Sequence, residues 1–386
     1  MRKLLMTLAL TLPLFASGEP PQPARFEKSF KILRDILKVQ DRNRLIDQLV
    51  AKGRGPLFSI EGLARIYEDR YPDTMSSLLK QSKALEDRLG KHIDMVEHVA
   101  YAKEIGVDAA TIRHLQKLVR EDRKETEHYH DLEEEKMTLV DFLLYNDWIE
   151  SYDPRLAKWE NKVAKTDWDG PKKDRDYILQ KLFDVTQELR RDEWNMGDIQ
   201  DGIHDFRRRV RWLSIYVQSL ADLLVLDYPE LPLFDEILTS DIATSKYGAL
   251  PPGDKLAFPI LFPHALYLEL TKAIQELGYA KDSAEAMYEW LPEALLASGQ
   301  ATTLAAARRK AAELVKKHKN YRDPRKTADK IYAYLRKNDH RYGDKTMRGV
   351  LVALKERFKA QMGWRPKDCR RELEEQAEIT PAGQQQ

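Results

Sequence analysis

The amino-acid sequence predicts an all-α protein, and three observations carry that expectation. Apolar residues recur at three- and four-residue spacing along nearly all of the 386 residues, as they do in helices with one buried face. No run alternates apolar and polar residues in the manner of a half-buried strand. Clusters of glycine and proline punctuate the periodic segments, notably at 53–56 and 227–263.

Each element can be justified in chain order. Arg2 and Lys3 precede an apolar stretch from Leu4 to Phe15 and the small residues Ala16-Ser17-Gly18. Cationic, then apolar, then small is the order of a cleaved secretory signal, here 1–18. The apolar run is shorter than the ~20 residues of a membrane span, and no cysteine follows the small residues to take a lipid. The expected location is the periplasm or the medium, with no membrane anchor after signal cleavage.

Phe26, Phe30, Ile32, Leu33, Ile36 and Leu37 open a first helix, expected to run through Leu45, Ile46 and Leu49 until Gly53-Arg54-Gly55-Pro56 ends it. Further helices are expected near 59–70, 74–89, 94–105, 108–150, 174–192, 199–226, 264–277, 283–297, 303–319, 324–338 and 344–361. Pro229, Pro232, Pro251, Pro252, Pro259 and Pro263 make 227–263 a long connection, with one short helix around Phe234–Leu238. The polar run "REDRKETEHYHDLEEEK" from Arg120 to Lys136 reads as a solvated helix. Residues 365–386 read as a disordered tail. The chain thus divides into an N-terminal helical half, 26–192, and a C-terminal helical half, 199–361.

Composition narrows the function classes. Lys and Arg number 64 against 63 Asp and Glu, and removal of Arg2 and Lys3 with the signal would put the acids ahead by one. So balanced a chain is not a general nucleic-acid binder, which carries a clear basic excess. Any anion site must be a local gathering of cations. Cys369 is the only cysteine, so neither an intrachain disulfide nor a thiolate metal cluster can form.

"LGKHIDMVEHV" at 89–99 and "LGYAKDSAEAM" at 277–287 share the pattern L-G-x-x-x-D-x-x-E. Gly90 and Gly278 can end a helix in the left-handed conformation. Asp94 with Glu97, and Asp282 with Glu285, can each form a capping box at the start of the next. Two halves built on one plan would account for the repeat, although any helical hairpin could be written this way.

The stretch "GIHDFRRRVRWLSIYVQSL" at 202–220 carries the main functional signal. On a helix His204, Arg207, Arg208 and Arg211 share one face, while Phe206, Val210, Leu213, Val217 and Leu220 share another and should bury. The stacked guanidinium groups repel one another unless anions offset them, and the planar guanidinium fork suits phosphate oxygens. His204 could add a charge that switches near pH 6 to 7. Asp198, Asp201 and Asp205 lie next door, and the Glu-rich 121–135 segment could pack alongside. A stripe neutralised by those acids would be purely structural.

"HDFRRRVRWL" at 204–213 resembles the signature helix of the CHAD family, roughly H-D-L-R-x-x-x-R-R-L-R. His204, Asp205, Phe206, Arg207, Arg211 and Leu213 match it, while Trp212 and Ser214 stand where the family has arginines. The elements around Gly90 and Gly278 are similar to the one that follows each basic helix of the family. The resemblance spans about 58–320, although its specific motif is about ten residues. It implies two similar helical bundles, related by a pseudo-twofold axis around a basic groove, and binding of inorganic polyphosphate. It also implies a basic helix ahead of Gly90, for which "SIEGLARIYEDRY" at 59–71 offers Arg65 and Arg70.

A groove of that kind would gain cations from "AARRKAAELVKKHK" at 306–319, where Arg309, Lys316 and the flanking Arg308 are candidates, and less directly from Lys337, His340 and Arg341. The bland alternative is an amphipathic helix whose final lysines complement its dipole. No phosphate-cradling glycine loop, nucleophile elbow or H-E-x-x-H occurs. Glu125-x-x-His128 is half of a helical di-metal motif without its second copy. No catalytic residue, metal or cofactor is therefore assigned. The expectation is a non-enzymatic, exported polyanion-binding protein. The alternative is a periplasmic helical scaffold or protein-interaction module without an anion site.

Overall fold

The structure of the chain, a computed structural model, describes residues 21–150, 155–191, 199–227, 235–245, 247–250, 259–327 and 347–363. The signal expected at 1–18, the tail expected at 365–386, and Lys337, His340, Arg341 and Cys369 lie outside these residues.

The described residues are predominantly helical, as the periodicity predicts. The first helix divides in two: α1 (Pro21–Leu37) buries Phe26, Phe30, Leu33 and Ile36, and α2 (Arg42–Lys52) buries Leu45, Ile46 and Leu49. Asp41 separates them, its carboxylate accepting the Arg44 amide at 2.7 Å as an N-cap. The Gly53-Arg54-Gly55-Pro56 stretch begins a helix, α3 (Arg54–Tyr67). Proline is at home in a first helical turn because its missing N–H has no partner to lose there.

The two glycines read as helix ends are interior. α4 runs unbroken from Pro72 to Glu104 through Gly90, and Asp94 and Glu97 cap nothing. The expected 108–150 helix is shorter than its periodicity suggests. α5 (Ala109–Glu121) is capped by Asp108, whose carboxylate accepts the Thr111 amide at 2.9 Å. Isolated 3₁₀ turns follow at Tyr129–Asp131 and Glu134–Lys136. α6 (Leu139–Tyr145) then starts from a Thr138/Asp141 capping box. The polar 120–136 run is therefore mostly turns, with His128 at φ 61°. α7 (Arg155–Lys165), which the sequence reading did not anticipate, precedes α8 (Pro171–Arg191).

In the C-terminal part a π-helical turn at Ile199–His204 leads into α9 (Asp205–Ser219). Leu224–Asp227 (β1) and Ile260–Pro263 (β2) pair in parallel, Leu224 opposite Ile260. This short ladder brackets the proline-rich connection. Each strand has four residues, too few for alternation to register. Between them a 3₁₀ helix at Asp235–Thr239 stands where the short helix was expected, followed by α10 (Asp241–Thr244). α11 (His264–Tyr288) passes through Gly278 without interruption, and α12 (Trp290–Ala297), α13 (Leu304–Val315) and α14 (Met347–Gln361) follow.

The larger apolar cluster draws on both predicted halves, from Phe26, Leu57 and Leu85 to Phe206, Leu266 and Leu354. A smaller cluster joins the end of α4 (Ala102) and α5 (Leu115) to Ala286, Leu291, Ala311 and Val315 of α11, α12 and α13. A buried polar node ties α1, α3 and α8 together. Arg25 Nη1 lies 2.7 Å from Asp174 Oδ2, its Nε 2.8 Å from Asp222 Oδ2, and Tyr67 donates to Asp174 Oδ1 at 2.8 Å.

α3 and α9 pack directly on each other, backed by α4 and α11 respectively. Gly62 makes that crossing possible: a Cβ there would come within 2.9 Å of Ile215 Cγ2 and 3.4 Å of Ser219 Oγ. Gly62→Leu should force the helices apart and lower unfolding free energy by about 3 kcal/mol, a typical overpacking cost. Gly55→Ala, at a position with nothing within 4 Å, is the control. Denaturant curves for the two variants check this, and equal stability would disprove a tight crossing.

Candidate anion-binding site

α9 presents the faces the sequence predicts. Phe206, Val210, Leu213, Val217 and Leu220 are buried; Arg207 and Arg211 are half-buried and Arg208 is exposed. Burying the apolar face, at roughly 1.5–3 kcal/mol for a fully buried large side chain, fixes where the guanidinium groups point.

Arg207 lies against Gly278 of α11. A Cβ at Gly278 would meet its Nη2 at 3.1 Å, and its Nε donates to the Ile274 carbonyl at 3.2 Å, one turn earlier. Arg54, at the start of α3, has the same relation to α4. A Cβ at Gly90 would meet Arg54 Nη2 at 3.1 Å, and Nη2 lies 2.6 Å from Glu86 Oε1, again one turn earlier. The glycines of the repeat are thus notches that admit a guanidinium. Phe58 links the two sides, with Arg211 Cζ 4.1 Å and Arg54 Cζ 5.3 Å from its ring centre. Arg65 stacks over Trp212 at 4.5 Å.

The arginines differ in how they are neutralised. Arg25, Arg34, Arg54, Arg65, Arg88 and Arg322 each hold a carboxylate in an ion pair. Among the described residues Arg207 and Arg211 hold none: Arg207 has a backbone carbonyl and Arg211 an aromatic ring. Burial pushes the Arg211 guanidinium down to about 10, with repulsion from Arg207 and Arg54 adding to it and Glu86 and Glu61 opposing. Burial lowers Arg207 too, and Asp282 and Glu285 oppose that shift. Both are cations in surroundings that disfavour charge.

Burial first, then Lys281, Arg207 and Arg208, lower the His204 imidazole below its ordinary range, which moves its switch to the acid side of the expected one. Asp205 is exposed; Asp198 and the side chain of Asp201 lie outside the described residues. The Glu-rich turn segment engages elsewhere, with Glu125 on Arg42 at 2.9 Å. Arg65 and Arg70 are committed to Glu61 and Asp169, so the cation ahead of Gly90 is Arg54. Reading Gly53–Pro56 as a helix end hid it; proline in a first turn was the signal that could have found it.

Arg309 and Lys316 stand exposed on α13 and its C-cap, and α13 packs on α11 and α12. No contact joins either to Arg207 or Arg211 among the described residues. His98 stacks on Trp290 at 4.3 Å, and burial pushes it down to about 4. Both line a cleft of about 400 Å³ with Met95, Leu115 and Ala294; its lining holds no arginine or lysine. Among the described residues no group of three or more His, Cys, Asp or Glu could hold a metal, and no helix is long and apolar enough to cross a membrane.

Comparison with protein-family models, with curated proteins and with solved structures gives no match for this chain.

Proposed function

We propose that the chain is an exported, non-enzymatic, CHAD-like protein that binds inorganic polyphosphate or a similar phosphate-rich anion at Arg207 and Arg211. The carrying observation is that these two neighbouring guanidinium groups are withdrawn from water without a carboxylate, while other arginines of comparable burial have one. A buried cation without a counterion is costly, and an arriving phosphate supplies what the fold withholds. The paired relations of Arg54 to Gly90 and Arg207 to Gly278 support two halves of common plan. The cationic, apolar and small residues of 1–18 support export. Binding proceeds by charge neutralisation and counterion release, so affinity falls steeply with salt.

Calorimetric titration with long-chain inorganic polyphosphate at low and moderate salt tests this. The native chain should bind with marked salt dependence, and Arg207→Ala/Arg211→Ala should lose at least about tenfold in affinity, two charge-assisted contacts being removed. Gly278→Val, which crowds Arg207 without changing charge, should weaken binding too. Equal binding by the native chain and the double variant would remove these residues from the site. No binding by either would leave the helical scaffold.

A further inference from the structure

We propose, resting on the anion-binding reading above, that this groove is gated by acidity: the carboxylates of Glu97, Asp282 and Glu285, which stand near the arginines without pairing with them, repel an incoming polyanion at neutral pH, and acidification lifts that repulsion. The basis is placement. Asp94 and Glu97 follow Gly90 by about one and two helical turns, so they share the face of α4 that admits Arg54. Asp282 and Glu285 stand in the same relation to Gly278 and Arg207 on α11. The two stripes approach each other, since the ends of α4 and α11 meet in one apolar cluster through Ala102 and Ala286.

The charge inventory by element is close to neutral. On α3, Arg54 and Arg65 are cancelled by Glu86 and Glu61. α4 contributes Asp94, Glu97 and the neutral His98. The turn before α9, and α9 itself, contribute His204, Asp205, Arg207, Arg208 and Arg211. α11 contributes Asp282, Glu285 and Lys281, the last 2.7 Å from Glu285 and 3.8 Å from Asp282. Arg207, Arg208, Arg211 and Lys281 thus meet at least as many carboxylates, and a polyanion entering at neutral pH meets repulsion beside each attraction.

Three of the carboxylates, Glu97, Asp282 and Glu285, are poised to yield. Burial raises Glu97, with Asp94 and Asp282 adding repulsion; burial also raises Asp282 and Glu285, against the pull of Lys281. Glu97 is exposed and the Asp282 side chain is 57% exposed, so their shifts are those of groups in a walled but wet groove, smaller than full burial gives. The sign follows directly. Lowering pH through the raised range protonates these groups, makes the groove positive and tightens anion binding. His204, lowered below its ordinary value, gains its charge in the same direction.

Long-chain inorganic polyphosphate is the probe, because its interior phosphates keep their charge between pH 5.0 and 7.5. The full chain is titrated at both pH values and fixed salt, beside Glu97→Gln/Asp282→Asn and His204→Gln. Both carboxylate residues are exposed and the amides are isosteric, so the fold should stand, as a thermal melt verifies. The native chain should bind about tenfold tighter at pH 5.0, a nearby charge removed in partly shielded surroundings being worth about that factor. The amide variant should bind tightly at both values, and His204→Gln should keep most of the pH effect. Equal native affinity at the two values overturns the gating and leaves anion binding intact. A pH effect that survives in the amide variant, or vanishes in His204→Gln, likewise overturns it. No native binding at either value overturns the anion-binding reading itself.

Discussion

Arg211→Met is expected to make the ligand-free protein more stable than the native chain while weakening the polyphosphate binding proposed above. The native guanidinium is charged at any ordinary pH although burial draws it down to about 10. Because the folded value lies below the unfolded one, the cost is present throughout the pH range below it and fades only in strong alkali. A shift of that size corresponds to about 3 kcal/mol against folding, partly offset by the Phe58 contact, worth about 1 kcal/mol. Methionine keeps the long apolar stem and drops the charge, so a gain of about 2 kcal/mol should remain. Chemical denaturation at pH 7 measures it. A variant that is less stable by a similar amount would show that Arg211 is satisfied in place and is structural.

The opposite sign is expected at the buried node. Asp174→Ala leaves Arg25, whose side chain is 2% exposed, with Asp222 as its one carboxylate beside the Tyr67 hydroxyl, and takes from Tyr67 the acceptor it reaches at 2.8 Å. Breaking one partner of a buried ion pair costs about 3–5 kcal/mol. The triple variant Arg25→Met/Asp174→Leu/Asp222→Asn should recover much of that loss, because no uncompensated charge stays inside. A loss below about 1 kcal/mol in Asp174→Ala, read from denaturant curves, would mean that water replaces the carboxylate. One arginine is held by the fold and another is held against it, and the two experiments separate them.

The apolar face of α9 was legible because Phe206, Val210, Leu213 and Val217 follow one period over several turns, and tertiary packing agrees with that period. Gly90 and Gly278 were seen as special but their role was misread: a glycine that ends a helix and one that admits a side chain across it leave the same local trace. Only the partner distinguishes them, and Arg54 and Arg207 lie far away in sequence. The same gap explains why Phe58, the shared platform, carried no signal. The 108–150 stretch was over-read as helix because its apolar spacing continues on both sides of a polar run that folds into turns. β1 and β2 are four residues each and depend on a pairing across the proline-rich connection, which no local pattern encodes. Whether an arginine meets a carboxylate is likewise a tertiary fact, so the charge stripe could be read from the sequence and its partners could not.

α4 is a single rod of 33 residues, about 50 Å at 1.5 Å per residue, and it is embedded in the large apolar cluster at one end and the small one at the other. The small cluster thus has no independent foundation: its α4 wall is anchored in the rest of the molecule. The distal helices α12 and α13 sit as a cap on that beam. Glu86, Gly90, Asp94 and Glu97 lie along the span between the two seats, so the spacing of the site's α4 side is set by the stiffness of one uninterrupted hydrogen-bonded spine and not by any loop.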